Sequence, residues 1–414
     1  MKKVVVIGGG ASGMMCAIAS AKLNNKVILL EKNEKLGKKI YITGKGRCNL
    51  TNDVEPLDFF NNVVSNPKFL YSSVFGFSSS RTMNFFEDLG LNLTVERGKR
   101  VFPSSNKASD VTKYLEKELR RLGVDVRLNT SVLDIVDKNN RVEKVITEFE
   151  EIECDSVVIA TGGKSYPSTG STGDGYIFAK KFGHKIVSPK PSLVGVELFD
   201  SDHLKMQGLS LKNVSITAIV NDKIIYNDFG EMLFTHFGVS GPIVLSSSCY
   251  LTKYSLENAK FIIDLKPALT IETLDAKFIR VFAENNNKNL SIIMRSVVPF
   301  SLVDLILKKA NVSGKKKCAE ITKTERFNII NTLKNLEFKI KRLRPIEEAI
   351  ITSGGVSVKD INPKTLESKL VKGLYFCGEV IDVDAFTGGF NLQIAFSTGH
   401  LAGNNAWFKY TILI

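Results

Sequence analysis

Gly8, Gly10 and Gly13 stand at the spacing G-x-G-x-x-G, and an acid, Glu31, follows about twenty residues on. That spacing serves a pyrophosphate. The first glycine permits a tight turn, the second lets the main chain approach the phosphates, and the third lets a helix close on a strand. Ser12 belongs to the same turn, and the helix it opens directs free N–H groups and a positive dipole end at the phosphates. Glu31 is placed to accept from a ribose hydroxyl, which favours FAD or NAD over NADP at this site. The fingerprint leaves the choice between FAD and NAD open.

Three further strings carry chemistry. Thr43-Gly44-Lys45-Gly46-Arg47-Cys48-Asn49 is glycine-rich and dense in donors, suited to a loop whose backbone comes close to a ligand. Ala160-Thr161-Gly162-Gly163 ends an apolar run and resembles the turn that returns the chain to the cofactor in two-nucleotide flavoproteins. Near the C-terminus, Gly378-Glu379, Asp382 and Gly388-Gly389-Phe390-Asn391 follow another apolar run. There the acid suits a ribityl hydroxyl, and the helix N-terminus suits the negative charge that develops on a reduced flavin ring. That last string decides for FAD, and the absence of a second G-x-G-x-x-G speaks against a second dinucleotide domain.

The elements that must position these residues are legible as periodicity. Val4–Ile7, Val27–Leu30 and Ser156–Ala160 read as buried parallel strands. Val132–Val136 and Val142–Thr147 read as a strand pair turned at Lys138-Asn139-Asn140. Residues 56–100 suggest a helical excursion with Phe59, Phe69 and Phe86 in its core. The expected class is α/β: a Rossmann-like FAD-binding domain in two segments, 1–190 and 346–414. A β-rich, barrel-like insert over 191–268 and a helical, basic insert over 269–345 lie between them. Within the latter, twelve cations from Lys308 to Arg344 meet only Glu320, Glu325 and Glu337, and Lys316 and Arg342 offer themselves for charge reversal.

Composition bounds the rest. The chain has 414 residues, is 43% apolar and carries a net charge of +13. It contains no apolar run of the roughly eighteen residues that a membrane helix needs, so no membrane association and a cytoplasmic location are expected. Six scattered cysteines without a C-x-x-C pair, and four histidines without ligand spacing, exclude a disulfide framework and point to no metal. The charge has two readings, a Lys- and Asn-rich proteome, which does not explain the excess of Lys over Asp and Glu, or a polyanionic partner.

Taken in order, these strings, together with Phe234-Thr235-His236-Phe237-Gly238-Val239-Ser240-Gly241-Pro242 and Ser353-Gly354-Gly355-Val356, resemble the BaiN/RdsA-type (YhiN-like) flavoprotein oxidoreductases over essentially the whole chain. The resemblance implies an FAD site lined by Gly8, Gly10, Ser12, Gly13, Glu31, Gly44, Arg47, Cys48, Asn49, Ala160, Thr161, Gly162, Glu379, Asp382, Gly388, Gly389, Phe390 and Asn391. Lys32, Lys39, Val132 and Gly378 complete the expected cofactor-binding set. It also implies NADH or NADPH as a transient electron donor and reduction of a conjugated C=C bond. Members act on steroid-like enones in one branch and on uridine of ribosomal RNA in another.

Both reactions need the same groups: a hydride donor, a donor that polarises the carbonyl, and an acid for the α-carbon. Cys48, its pKa lowered by Arg47, is the first candidate acid and His236 the second. Three readings compete: an enzyme that reduces a large-subunit ribosomal RNA uridine to dihydrouridine, a small-molecule enone reductase, and a non-catalytic flavin-containing RNA-binding factor. The charge favours the first.

Overall fold

The computed structural model describes residues 1–406. The chain divides into two compact units, Met1–Pro191 with the chain from Ile346 onward, and Ser192–Pro345.

The first unit is built on a five-stranded parallel sheet in the order Leu374–Phe376, Ser156–Ile159, Lys3–Ile7, Lys26–Leu30, Asp125–Arg127. Its strands are continuous apolar runs because both faces are covered, and Val4, Val5, Val6, Val157 and Leu29 have no exposed surface. Register does the positioning. Ile7 lies beside both Leu30 and Ile159, and Ile159 lies beside Phe376. The residues that follow these strands, Gly8, Glu31, Ala160 and Cys377-Gly378, therefore emerge together at one sheet edge. The chain leaves the central strand to one side and returns on the other, which opens a crevice at those carboxyl ends.

Two helices floor that crevice. Ala11–Ala21 follows the fingerprint, and Phe390–Asn405 packs across it. A Cβ on Gly399 would stand 2.3 Å from the Ser12 carbonyl oxygen, and one on Gly403 2.3 Å from that of Cys16. Only hydrogens at these two positions let the backbones touch.

The hairpin Val132–Lys138/Arg141–Thr147 forms as its sequence suggests, with Asn139 and Asn140 at φ +56° and +58°, the geometry of a type I′ turn. Residues 56–100 are less helical than their sequence suggests. Helices Tyr71–Gly76 and Ser79–Asp88 form, but Leu93–Glu96 and Arg100–Pro103 pair as a hairpin that Thr51–Asn52 extends. The reversal uses Gly98 and Lys99, both at positive φ.

The second unit holds a closed six-stranded barrel in the order Val196–Leu198, Gly238–Ser240, Lys223–Phe234, Ser210–Val220, Ala259–Asp264, Leu336–Leu343. Helices Ile271–Glu284, Phe300–Lys309 and Lys323–Lys334 share one apolar core with it. The closing strand falls in a stretch that reads as helical. Its period-two pattern rests on only three apolar residues, Leu336, Phe338 and Ile340, all fully buried, between Glu337, Lys339 and Lys341. Long charged side chains suit either element, so the lysines conceal the alternation. Among the described residues no helix is long and apolar enough to cross a membrane.

Candidate cofactor and active site

At the fingerprint the three glycines do different work. A Cβ on Gly13 would stand 1.8 Å from the Gly8 carbonyl oxygen, so helix and strand meet there with no room to spare. A Cβ on Gly10 would meet no protein atom within 4 Å. The space in front of Gly10 is open, and no side chain caps the first turn of the helix behind it. Glu31 is buried and oriented: Gly9 N–H donates to its Oε2 at 2.7 Å, and the Asn33 backbone and amide donate to its Oε1 at 2.8 and 2.6 Å. Thr130 N–H donates to the Glu31 carbonyl at 2.9 Å, which brings Val132 to the same edge.

Glu379 anchors the other end. Its Oε2 accepts from Lys39 Nζ at 2.7 Å, and its Oε1 accepts from Thr352 N–H at 2.8 Å and Ser165 Oγ at 2.9 Å. Burial raises its pKa, but the charge and hydrogen bond of Lys39, with the donors from Thr352 and Ser165, outweigh it and hold the carboxyl below the usual glutamate range. Gly378 is pressed against Ser12, whose Oγ would lie 2.3 Å from a Cβ there. Asp382 accepts from Asn66 Nδ2 through both its carbonyl and its carboxylate, at 2.7 and 3.1 Å. Thr161 Oγ1 and Tyr176 Oη are buried without a hydrogen-bond partner among the described residues, as are Ser73 Oγ and Thr82 Oγ1 elsewhere in this unit. Burial and then the charges of Glu379 and Asp382 push the Tyr176 phenol upward, so it stays a protonated donor.

The Thr43–Asn49 loop joins the C-terminal turn. The Asn49 amide, in the orientation that satisfies both its ends, accepts from Gly389 N–H at 3.1 Å, and Asn52 Nδ2 donates to the Gly388 carbonyl at 3.0 Å. Gly389, at φ +98°, lies against Thr51, whose carbonyl carbon a Cβ would approach to 2.4 Å.

The structure thus gathers Gly8, Gly10, Ser12, Gly13, Glu31, Lys39, Ala160, Thr161, Gly378, Glu379, Asn49, Gly388 and Gly389 around connected loops. Gly162 lies next to them, facing Ser171. Other expected residues are turned elsewhere. Lys32 pairs with Asp174 at 2.6 Å. Arg47 pairs with Glu96, donates to Asn106 Oδ1 at 2.8 Å and lies over the Phe102 ring. The Phe390 ring is buried against Phe59, and the Asn391 amide is spent on the main chain of Ala385 and Phe386. Gly44 sits against the backbone of Asn49.

Cys48 departs furthest from expectation. It has no exposed surface, its partner Arg47 turns away from it, and burial pushes its thiol up to about 12. A thiol so placed is packing rather than a proton donor. Its φ of +60° belongs to the tight turn that Gly44 begins. His236 lies in the second unit, on the turn between strands Lys223–Phe234 and Gly238–Ser240. Its ring is exposed, edge-on to Phe237, while its carbonyl is bonded by His203 at 3.3 Å.

Sequence reasoning overlooked Ser165, Thr352 and Tyr176. Ser165 and Tyr176 flank a hydroxyl- and glycine-rich loop whose composition was the available signal. Thr352 had none, because its part depends on a strand met almost two hundred residues later in the chain.

Comparison with known proteins accords with this architecture. The family model described as HI0933-like protein Rossmann domain matches residues 2–405. A 3-dehydro-bile acid delta(4,6)-reductase of Clostridium scindens is 30% identical over 98% of this chain and 99% of its own. A ribosomal RNA dihydrouridine synthase of Haemophilus influenzae is 30% identical over 96% of each. Among solved structures, a 3-ketosteroid-delta4-(5alpha)-dehydrogenase of Rhodococcus jostii superposes with a TM-score of 0.54 at 15% identity, covering 98% of this chain and 97% of that one, a likeness of fold. The chain is an oxidoreductase and belongs to the HI0933-like Rossmann-domain family.

Proposed function

We propose that the protein is an FAD enzyme that reduces a uridine of large-subunit ribosomal RNA to dihydrouridine, with NADH or NADPH as electron source. The open face of Gly10, the uncapped helix behind it and the oriented Glu31 suit a pyrophosphate and an adenosine ribose. The unpartnered hydroxyls of Thr161 and Tyr176 suit a polar ligand, since a buried hydroxyl left unpaired costs roughly 1–3 kcal/mol. FAD fits this set.

When bound and reduced, FAD supplies a hydride. The residues of the chain do the rest. Glu31 and the first turn of Ala11–Ala21 would hold the adenosine diphosphate end. Glu379, kept ionised by Lys39, and Tyr176 would hold the ribityl chain, the first as acceptor and the second as donor. The N-terminus of Phe390–Asn405 would stabilise negative charge on the reduced ring. Uracil C6 gains the hydride, C5 gains a proton, and the two electrons come from NAD(P)H. Cys48 is buried, which leaves the exposed His236 as the candidate proton donor of the two. His236→Ala should lower RNA turnover about 100-fold while leaving bleaching of the flavin by NAD(P)H unchanged. Turnover within twofold of wild type would remove His236 from the role.

The observation that carries the RNA reading is the net charge of +13 on a chain whose full-length relatives include a ribosomal RNA dihydrouridine synthase. The test is nucleoside mass spectrometry of large-subunit ribosomal RNA from strains with and without the gene. A position-specific dihydrouridine should disappear with the gene and return on complementation. If it persists, or never occurs, a steroid-like enone substrate takes its place. That second reading is favoured by the bile-acid reductase, which matches this chain as fully.

A further inference from the structure

Only Ser165 of residues 164–174 contributes directly to the Glu379 anchor, yet the stretch is tied to the surroundings of both cofactor acids. At its start, Lys164 N–H and Ser165 N–H donate to Thr352 Oγ1 at 2.8 and 3.1 Å, and Ser165 Oγ donates to Glu379 at 2.9 Å. At its far end the partners are Lys32 and Asn33. Asn33 Nδ2, which orients Glu31, also donates to the Thr169 carbonyl at 3.2 Å. Lys32 Nζ donates to Thr172 Oγ1 and pairs with Asp174 at 2.6 Å, and Thr172 Oγ1 donates to the other oxygen of Asp174 at 2.7 Å. Gly170, at φ +101°, lets the two segments close: a Cβ there would stand 2.4 Å from Asn33 Nδ2.

Sheet order places this contact. Residues 164–174 follow Ser156–Ile159, on one side of the central strand Lys3–Ile7, whereas Lys32 and Asn33 follow Lys26–Leu30, on the other. Two strand spacings separate those flanking strands, roughly 10 Å. The segments therefore meet across the carboxyl end of the central strand, from which the turn 8–13 emerges. The bonds that join them are polar and open to water in part, the Lys32 and Asp174 side chains being 29% and 39% exposed. Such a pair is screened by salt and contributes little to folding. It can hold a loop and still release it.

We propose that residues 164–174 are a strap over the dinucleotide groove, latched by Lys32 and Asn33 to Thr169, Thr172 and Asp174, that opens to admit FAD and closes to retain it. This rests on the reading of the site as an FAD site. Lys32, which the sequence places at the cofactor, acts on it through the loop, so Lys32 and Asp174 are positioning residues. The latch sets the rate of FAD exchange and leaves the chemistry of the flavin alone.

The test uses the full-length FAD-loaded protein. FAD release is followed by absorbance at the flavin maximum for wild type, Lys32→Met, Asp174→Asn, the double variant and Lys181→Met. Lys181 pairs with Asp134 at 2.6 Å and takes no part in the latch. Loss of an ion pair and a hydrogen bond should speed release about tenfold in each single latch variant. The double variant should release no faster than the singles, because both remove the same link. Lys181→Met should release FAD as wild type does. The flavin of Lys32→Met should keep the wild-type reduction potential, and the stripped variant should melt with stripped wild type. Amide exchange gives a variant-free check: residues 164–174 should exchange more slowly with FAD bound, and added salt should speed both their exchange and FAD release. Release within twofold of wild type in both single variants, or exchange over 164–174 indifferent to FAD, would overturn the strap and leave the FAD reading standing. Wild-type protein that takes up no flavin would overturn the FAD reading itself.

Discussion

Gly10→Val should purify as a folded but colourless protein. Gly10 has φ −80° and ψ −171°, a backbone conformation open to any residue, and a side chain there meets no protein atom within 4 Å. The substitution therefore costs the fold little, within about 0.5 kcal/mol as for an ordinary surface change. The valine fills the space through which phosphates must approach the helix N-terminus, so FAD retention should be lost. The variant should melt with wild-type protein stripped of flavin, since bound ligand stabilises only the loaded form. Gly13→Val makes the contrast. Its Cβ would overlap the Gly8 carbonyl oxygen at 1.8 Å, and the variant should fail to accumulate as folded protein. Absorbance near the flavin maximum and thermal melting read both. A yellow Gly10→Val protein would show that the pyrophosphate lies elsewhere.

Lys39→Met should have the second largest effect. Lys39 and Glu379 are each about one-fifth exposed, so water screens the pair only in part. Removing the ammonium strands a mostly buried carboxylate, at a cost of about 2–3 kcal/mol once that screening is allowed for. The pH dependence has a definite sign. The pKa of Glu379 is depressed in the folded protein, so the stability it contributes is present above the unfolded value of about 4.3 and lost as pH falls through the folded one. In the variant, burial acts unopposed by Lys39 and raises the carboxyl pKa. The difference in stability should therefore be full near neutrality, begin to narrow as the variant's Glu379 protonates, and vanish in acid below the wild-type titration. Chemical denaturation at a series of pH values measures it. A difference that is flat down to pH 3 would mean that Lys39 acts by packing alone. Flavin affinity should fall in parallel, because the same carboxylate is the ribityl acceptor in the proposed site.

Much of this protein could be read from local sequence, for a physical reason. A pyrophosphate site needs glycines at fixed short spacing between a strand and a helix, and buried parallel strands need continuous apolar runs, so Val4–Ile7, Gly8–Gly13, Glu31 and Ser156–Thr161 were legible from neighbouring residues alone. The Asn139-Asn140 turn was legible for the same reason, since its positive φ values are local. What the tertiary structure decided depends on partners distant in the chain. Cys48 lies in a string rich in donors, yet burial and the turning of Arg47 toward Glu96 and Asn106 remove it from proton transfer. The acid of the Gly378-Glu379 pair could be seen, but not that Lys39, Ser165 and Thr352 converge on it from three separate segments. Charge counted along the chain overstated the basic insert, because Glu197, Asp202, Asp264 and Asp275 reach its cations through the fold. A sequence sets each residue's charge, but the solvent and counter-charge that fix its behaviour arrive only when remote segments pack.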